Sequence, residues 1–150
     1  MQDGAGPRPY DVSVSYLIEF DPHGWLDWLG LPADGPVESI ESDVGTVLAE
    51  VDKVLRIDGS TPRLAHIELQ SSYDPLLPSR LLQYHALLHH RHQMRIETTV
   101  VLLRPEADGP GLTGQLELPA GPDGPSVTFR YRVFRLWERP VACSVSGNDP

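Results

Sequence analysis

Three side chains near the middle of the sequence have the types and spacing of a divalent-metal site: Asp52, Glu68 and Gln70. Hard cations such as Mg²⁺ bind carboxylate and carbonyl oxygens and usually keep several waters. Asp52 and Glu68 would supply two ligands, and the backbone carbonyl of Leu69 would supply a third. A water bound to such a cation is more acidic and can attack a phosphodiester, while Gln70 orients water or phosphate.

The same residues also fit a hairpin without any chemistry. An aspartate followed later by Glu-x-Gln is a short pattern that arises often by chance, so spacing alone favours exposed acids at the edges of a hairpin. A carboxylate inside a half-buried strand, in contrast, needs a cation or a set of donors to compensate its burial. The two interpretations differ in whether Asp52 and Glu68 converge on one pocket.

A predicted β-hairpin must position these side chains. Two apolar-rich runs of strand length, residues 51–57 and 63–70, flank a cluster of turn formers at 58–62. Successive residues of a strand point to opposite faces, so Glu68 and Gln70 share one face. A register that turns Asp52 towards that face would bring two carboxylates and an amide together.

Helices are predicted on both sides of this hairpin in the sequence. Asp21 and Pro22 are typical of a helix start, and Gly30 of its end. The clearest helix runs over residues 79–92, where leucines recur on one side. In the segment after Asp11, apolar residues occur at every second position, which predicts a strand there and not a helix.

Two later runs predict strands. Residues 98–103 are continuously β-branched or aliphatic, as in a strand buried on both faces. Residues 127–137 begin by alternating apolar residues with arginine, which indicates one strand with a wet, basic face. Together the elements predict one α/β domain over residues 11–137, a small mixed sheet flanked by helices, with flexible tails at 1–10 and 138–150.

Composition limits the classes of partner. The chain has 150 residues and a formal charge of −9, and Lys53 is its one lysine. Phosphate contacts need a basic surface, so nucleic-acid binding would depend on local arginines or on bound cations. The one cysteine, Cys143, allows no intrachain disulfide, and neither a signal peptide nor an apolar run of spanning length is present. We therefore expect a cytoplasmic location and no membrane contact.

Arg80 and Tyr84 are neighbours one turn apart on the predicted helix after Glu68. The planar guanidinium of Arg80 suits phosphate oxygens, but it could equally pair with Asp74 or Glu68. Tyr84 is expected in the core.

Two further groups of side chains carry alternative interpretations. His85, His89 and His92 share a helical face that could hold zinc or nickel, although one helix alone lacks a fourth ligand, and a solvated polar face is expected. Arg130 and Arg132 share one face of the predicted strand and, with Arg135 as a third candidate, could guide a nucleic-acid backbone or pair with the many acids. The charge balance favours pairing.

The order of these elements resembles the PD-(D/E)XK nuclease superfamily, and within it the Rpn-type recombination-promoting nucleases and transposase-associated proteins. The residues that carry the resemblance are the strand with Asp52, the strand ending His66-Ile67-Glu68-Leu69-Gln70, the helix with Arg80 and Tyr84, and the 100–103 strand. The resemblance extends over residues 16–137.

The resemblance implies a restriction-endonuclease-like αβββαβ core and Mg²⁺- or Mn²⁺-dependent DNA cleavage. Asp52 and Glu68 match the metal-binding acids, Gln70 stands at the usual lysine position, and the first helix often adds an acid. A lysine can stabilise negative charge, whereas glutamine only forms hydrogen bonds. The candidates for the added acid are Glu19, Asp21 and Asp27.

The departure at Gln70 keeps a second hypothesis open. A catalytically silent domain of the same fold, including a truncated copy, would serve as an interaction module or a homodimer. The late hydrophobic strand would then be its contact edge.

Overall fold

The structure, a computed structural model, describes residues 9–40 and 53–139 of the chain. Its helices are α1 (Pro9–Phe20), α2 (Pro22–Trp28) and α3 (Leu77–His92). The strands are β1 (Val37–Ile40), β2 (Lys53–Ile57), β3 (Arg63–Gln70), β4 (Arg95–Leu102), β5 (Gln115–Pro119), β6 (Pro125–Arg130) and β7 (Arg132–Arg135). Single turns of 3₁₀ helix lie at Pro105–Ala107 and Leu136–Glu138.

Five of the strands form one mixed sheet in the order β1-β2-β3-β4-β7. The first three are antiparallel neighbours, whereas β4 runs parallel to β3 and β7 runs parallel to β4. A separate antiparallel pair contains β5 and β6. The predicted α/β fold, a small mixed sheet flanked by helices, is confirmed. The sequential order of helix, three strands, helix and strand is present as well.

Helices cover both faces of the sheet. Ile18 of α1 and Leu26 of α2 pack with Ile67 in one buried cluster. On the other side Tyr84 of α3 packs with Val54 of β2. Adjacent strand residues point to opposite faces, so we call the two sides the α1/α2 face and the α3 face.

The local signals for the hairpin and for two helices are confirmed. β2 and β3 pair in antiparallel register, with Lys53 opposite Ile67. Asp21 caps α2 by accepting a hydrogen bond from the Gly24 amide at 3.0 Å, and Gly30 follows the helix with a φ of +75°. The predicted helix over residues 79–92 begins two residues earlier, at Leu77.

The strand predicted after Asp11 is wrong, since that segment lies within helix α1. Val14 and Ile18, four residues apart, both contact the core beneath the helix. This spacing puts them on one helical face. Their burial outweighs the alternation that favoured a strand, because tertiary packing overrides intrinsic propensity.

The single strand predicted over residues 127–137 is also wrong, because the chain changes sheets at Tyr131. β6 pairs with β5, whereas β7 pairs with β4. Between them the Tyr131 amide donates to the carbonyl of Gly114 at 3.0 Å. The alternating apolar residues therefore serve two different sheets.

Most residues of the two predicted tails lie outside the described ranges, so the flexibility of the tails stays a prediction. Within the described ranges, α1 begins at Pro9, inside the first predicted tail, and the last 3₁₀ turn ends at Glu138, the first residue of the second. No helix within the described ranges is long and apolar enough to cross a membrane.

Candidate functional site

Asp52 lies outside the described residues, so its predicted pairing with Glu68 stays a prediction. Its neighbour in the sequence, Lys53, is the first residue of β2. Lys53 is paired with Ile67, the residue that precedes Glu68 in β3.

Glu68 is a buried carboxylate in the central strand of the sheet. It is 3% exposed, and its Oε2 atom lies 3.2 Å from Nε2 of His66. The side chains of His66 and Glu68 share the α3 face, because both alternate with the core residue Ile67 on the opposite face. The alternative of a solvent-exposed acid on a hairpin edge is therefore wrong for Glu68.

His66 itself is fully buried under α3. Its ring meets the ring of Tyr84 edge-on, with a centroid distance of 5.9 Å. Tyr84 is 2% exposed and belongs to the core, as predicted. A charged group is costly to bury without a partner. The contact with His66 compensates Glu68, and the charge of Arg80 adds to it.

Gln70 ends β3 and is half-buried on the same face as Glu68. Its backbone carbonyl accepts a hydrogen bond from the Leu103 amide at 2.9 Å, on the β4 side. Carbonyls of successive strand residues point to alternate neighbours, which directs the Leu69 carbonyl towards the β2 side. The Leu69 side chain packs in the core of the α1/α2 face.

Arg80 lies in the first turn of α3 and forms an ion pair with Asp74. Its Nη1 atom is 2.5 Å from Oδ2 of Asp74, and about a third of each side chain is exposed. Burial alone would lower the pKa of Arg80, but the hydrogen bond and charge of Asp74, with the charge of Glu68, outweigh it and raise that pKa. The predicted alternative of pairing with Asp74 is confirmed.

The three candidate upstream acids have separate surroundings. Glu19 binds the Lys53 ammonium, with Oε1 2.6 Å from Nζ. Asp21 caps α2, and Asp27 is exposed on that helix. Lys53 follows the parity of Leu55 on the α1/α2 face, so its pair with Glu19 lies on the side of the sheet opposite Glu68.

The arginines of the late strand do not form a shared basic face. Arg130 belongs to β6 and Arg132 to β7, so the predicted common strand is wrong. Arg132 donates to the Gly30 carbonyl at 3.2 Å. Arg135 binds Asp108 through Nε at 2.7 Å and Nη2 at 3.3 Å, and this hydrogen bond lowers the pKa of Asp108. Pairing with acids is thus confirmed for Arg135.

The helical histidines are not a uniformly solvated face. His85 is half-buried, and its ring lies 5.1 Å from that of Phe129. Burial, followed by the charges of His66 and His89, lowers the pKa of His85. Burial is also the main reason that the pKa of His92 is lowered.

Sequence reasoning missed one residue of this region, His66. His66 shares its strand parity with Glu68, and that alternation was the available signal. Asp74 was one of two acids expected to pair with Arg80, and the turn before α3 brings it to the guanidinium.

The donor chemistry around Glu68 suits a hard cation only in part. Within residues 9–40 and 53–139, no three His, Cys, Asp or Glu side chains lie close enough to hold a metal ion. A metal at Glu68 would thus need Asp52, the Leu69 carbonyl and water. All of these are oxygen donors of the kind that Mg²⁺ and Mn²⁺ prefer.

Comparison of the chain with family models, curated proteins and solved structures gives no match.

Proposed function

We propose that this chain is a metal-dependent DNA endonuclease-like domain of the PD-(D/E)XK type, related to the Rpn and transposase-associated group. The observation that carries the proposal is the buried Glu68 carboxylate in the central strand, with Gln70 following it on the same face. The order of helix, three strands, helix and strand supports it. A carboxylate is seldom buried in a strand without a task, because its desolvation is costly.

Each residue has a defined role in this proposal. Glu68 and Asp52 hold a Mg²⁺ or Mn²⁺ ion together with the Leu69 carbonyl. When bound, such an ion acidifies water and neutralises charge on a phosphodiester. Gln70 orients the attacking water or a phosphate oxygen by hydrogen bonding. Arg80 exchanges part of its contact with Asp74 for a contact with the DNA phosphate.

DNA binding by an acidic chain requires local compensation. The formal charge of −9 repels a phosphate backbone over most of the surface. A divalent cation and the Arg80 guanidinium would supply positive charge where the backbone approaches. We therefore expect binding to be weak and to depend on both the metal and the salt concentration.

A catalytically silent interaction or homodimer module is the second candidate, and four observations favour it. Gln70 lacks the charge of a lysine, and Arg80 is already paired with Asp74. In addition, α1 exposes large apolar side chains, with Tyr16 68% and Phe20 90% exposed. Exposed apolar groups of this size are typical of contact surfaces. β7 lies at the edge of the sheet, where a partner strand could add.

The test is nicking of supercoiled plasmid with Mg²⁺ or Mn²⁺, compared between wild type and Glu68→Gln. The matched control is Glu117→Gln, which removes the same charge from an exposed position of β5. We expect nicking by wild type and by the control, and none by Glu68→Gln or without metal.

A second measurement concerns metal binding alone. Mg²⁺ should raise the melting temperature of wild type but not of Asp52→Asn, because ligands that bind only the folded state stabilise it. If wild type neither nicks DNA nor responds to metal, the nuclease proposal is wrong. A dimer that Phe20→Ser dissociates in sedimentation would then support the second candidate.

A further inference from the structure

We propose that His66 is a positioning residue that fixes the Glu68 carboxylate for metal binding. This inference rests on the proposed function and adds a residue to it. His66 is 0% exposed, and its Nε2 atom lies 3.2 Å from Oε2 of Glu68. An ionised carboxylate only accepts hydrogen bonds, so with Glu68 ionised the hydrogen of this bond is on Nε2.

The packing around His66 leaves its ring little freedom. His66 stands opposite Val54 in β2 and beside Thr98 in β4, so strands flank it on both sides. Tyr84 of α3 covers the ring edge-on. A ring held in this way fixes the direction in which Nε2 donates, and it thereby fixes the rotation of the Glu68 carboxylate.

Oε2 of Glu68 accepts the hydrogen bond from His66. Oε1 is therefore the oxygen of Glu68 that would bind a cation. Carboxylates that bind metals are commonly held by such an outer hydrogen bond, and loss of it costs about 10–100-fold in metal affinity. A histidine that merely filled the core would have no such effect.

Matched amide substitutions distinguish a histidine that positions Glu68 from one that only fills the core. The amide nitrogen of His66→Gln falls near the place of Nε2 and can still donate to Glu68, whereas the shorter His66→Asn ends near the place of Nδ1. His66→Met has a similar volume and no donor. His85→Asn makes the same substitution at a half-buried histidine of α3 that packs on Phe129.

The measurement is Mn²⁺ binding by titration calorimetry, on variants whose far-ultraviolet circular dichroism matches wild type. We expect His66→Asn and His66→Met to weaken Mn²⁺ binding about 10–100-fold, and His66→Gln and His85→Asn to bind as wild type does. Either of these two weakened variants suffices if the other fails to fold.

Three results would overturn the inference. Unchanged Mn²⁺ affinity in folded His66→Asn or His66→Met would show that His66 is only a core residue, and the proposed nuclease function would stand. An equal loss in His66→Gln would assign the effect to ring packing. If wild type binds no Mn²⁺, the metal site of the proposed function is wrong, and the role of His66 is wrong with it.

Discussion

Nη1 of Arg80 lies 2.5 Å from Oδ2 of Asp74, so the arginine at the start of α3 is engaged by an acid before any substrate arrives. The pair is partly exposed, and such pairs contribute at most about 1 kcal/mol. In the proposed nuclease, a DNA phosphate would therefore compete with Asp74 for Arg80, and Asp74 would lower the affinity of the site for phosphate.

Substitution of Arg80 and substitution of Asp74 should change DNA binding in opposite directions. We expect Arg80→Gln to weaken binding of a labelled duplex about 10–100-fold, the effect of losing a hydrogen bond to a charged group. Asp74→Asn should strengthen it by up to about fivefold, since it removes only the competing partner. Fluorescence anisotropy with Mg²⁺ present measures both. Wild-type affinity in Arg80→Gln would exclude a phosphate contact.

Gln70 stands where the proposed nuclease family usually has a lysine, and this position allows a gain-of-function test. Gln70→Lys places an ammonium on the face of Glu68, where it can stabilise charge that develops on the phosphate. We expect plasmid nicking to rise about tenfold, which corresponds to ~1.4 kcal/mol of the barrier. Gln83→Lys adds the same charge at an exposed position of α3. An equal rise in both variants would indicate general attraction to DNA and no role for position 70.

Lys53 and Glu19 form a pair with unequal burial, so its two partners should differ in their effect on stability. The Lys53 side chain is 8% exposed, whereas that of Glu19 is 49% exposed. Glu19→Ala leaves a buried ammonium without this carboxylate and should cost about 1–3 kcal/mol of unfolding free energy. Lys53→Met buries an apolar chain instead and should cost less, since apolar replacement of buried ions is often neutral. Urea unfolding measures both, and the reverse order would contradict the expected asymmetry.

Local signals predicted the elements near the candidate site, because the physics there is local. Turn formers between two apolar runs predicted the β2–β3 hairpin, and strand alternation predicted that Glu68 and Gln70 share one face. Cap residues predicted the start and the end of α2. The same parity places Lys53 on the sheet face opposite Glu68, so Lys53 does not stand in for the lysine that the proposed family usually has where this chain has Gln70.

Features that depend on distant contacts were not predictable in this way. Helix α1 forms where alternation indicated a strand, because Val14 and Ile18 pack against sheet residues that are distant in the sequence, such as Ile67. The break at Tyr131 arises because β6 and β7 find different partners. The pairing of Arg80 with an acid was expected, but the choice of Asp74 over Glu68 depends on the turn before α3.

The lowered pKa of His85 predicts how stability depends on pH. Burial, with the charges of His66 and His89, keeps the folded pKa of His85 below its ordinary value of 6.5. The unfolded chain therefore binds more protons, and stability is lost as the pH falls below about 6.5. Urea unfolding at pH 7.5 and 5.5 should show a smaller loss for His85→Gln than for wild type. His89→Gln, the same change at an exposed position of α3, is the control. If all three proteins lose the same stability between these pH values, burial of His85 does not set the pH dependence.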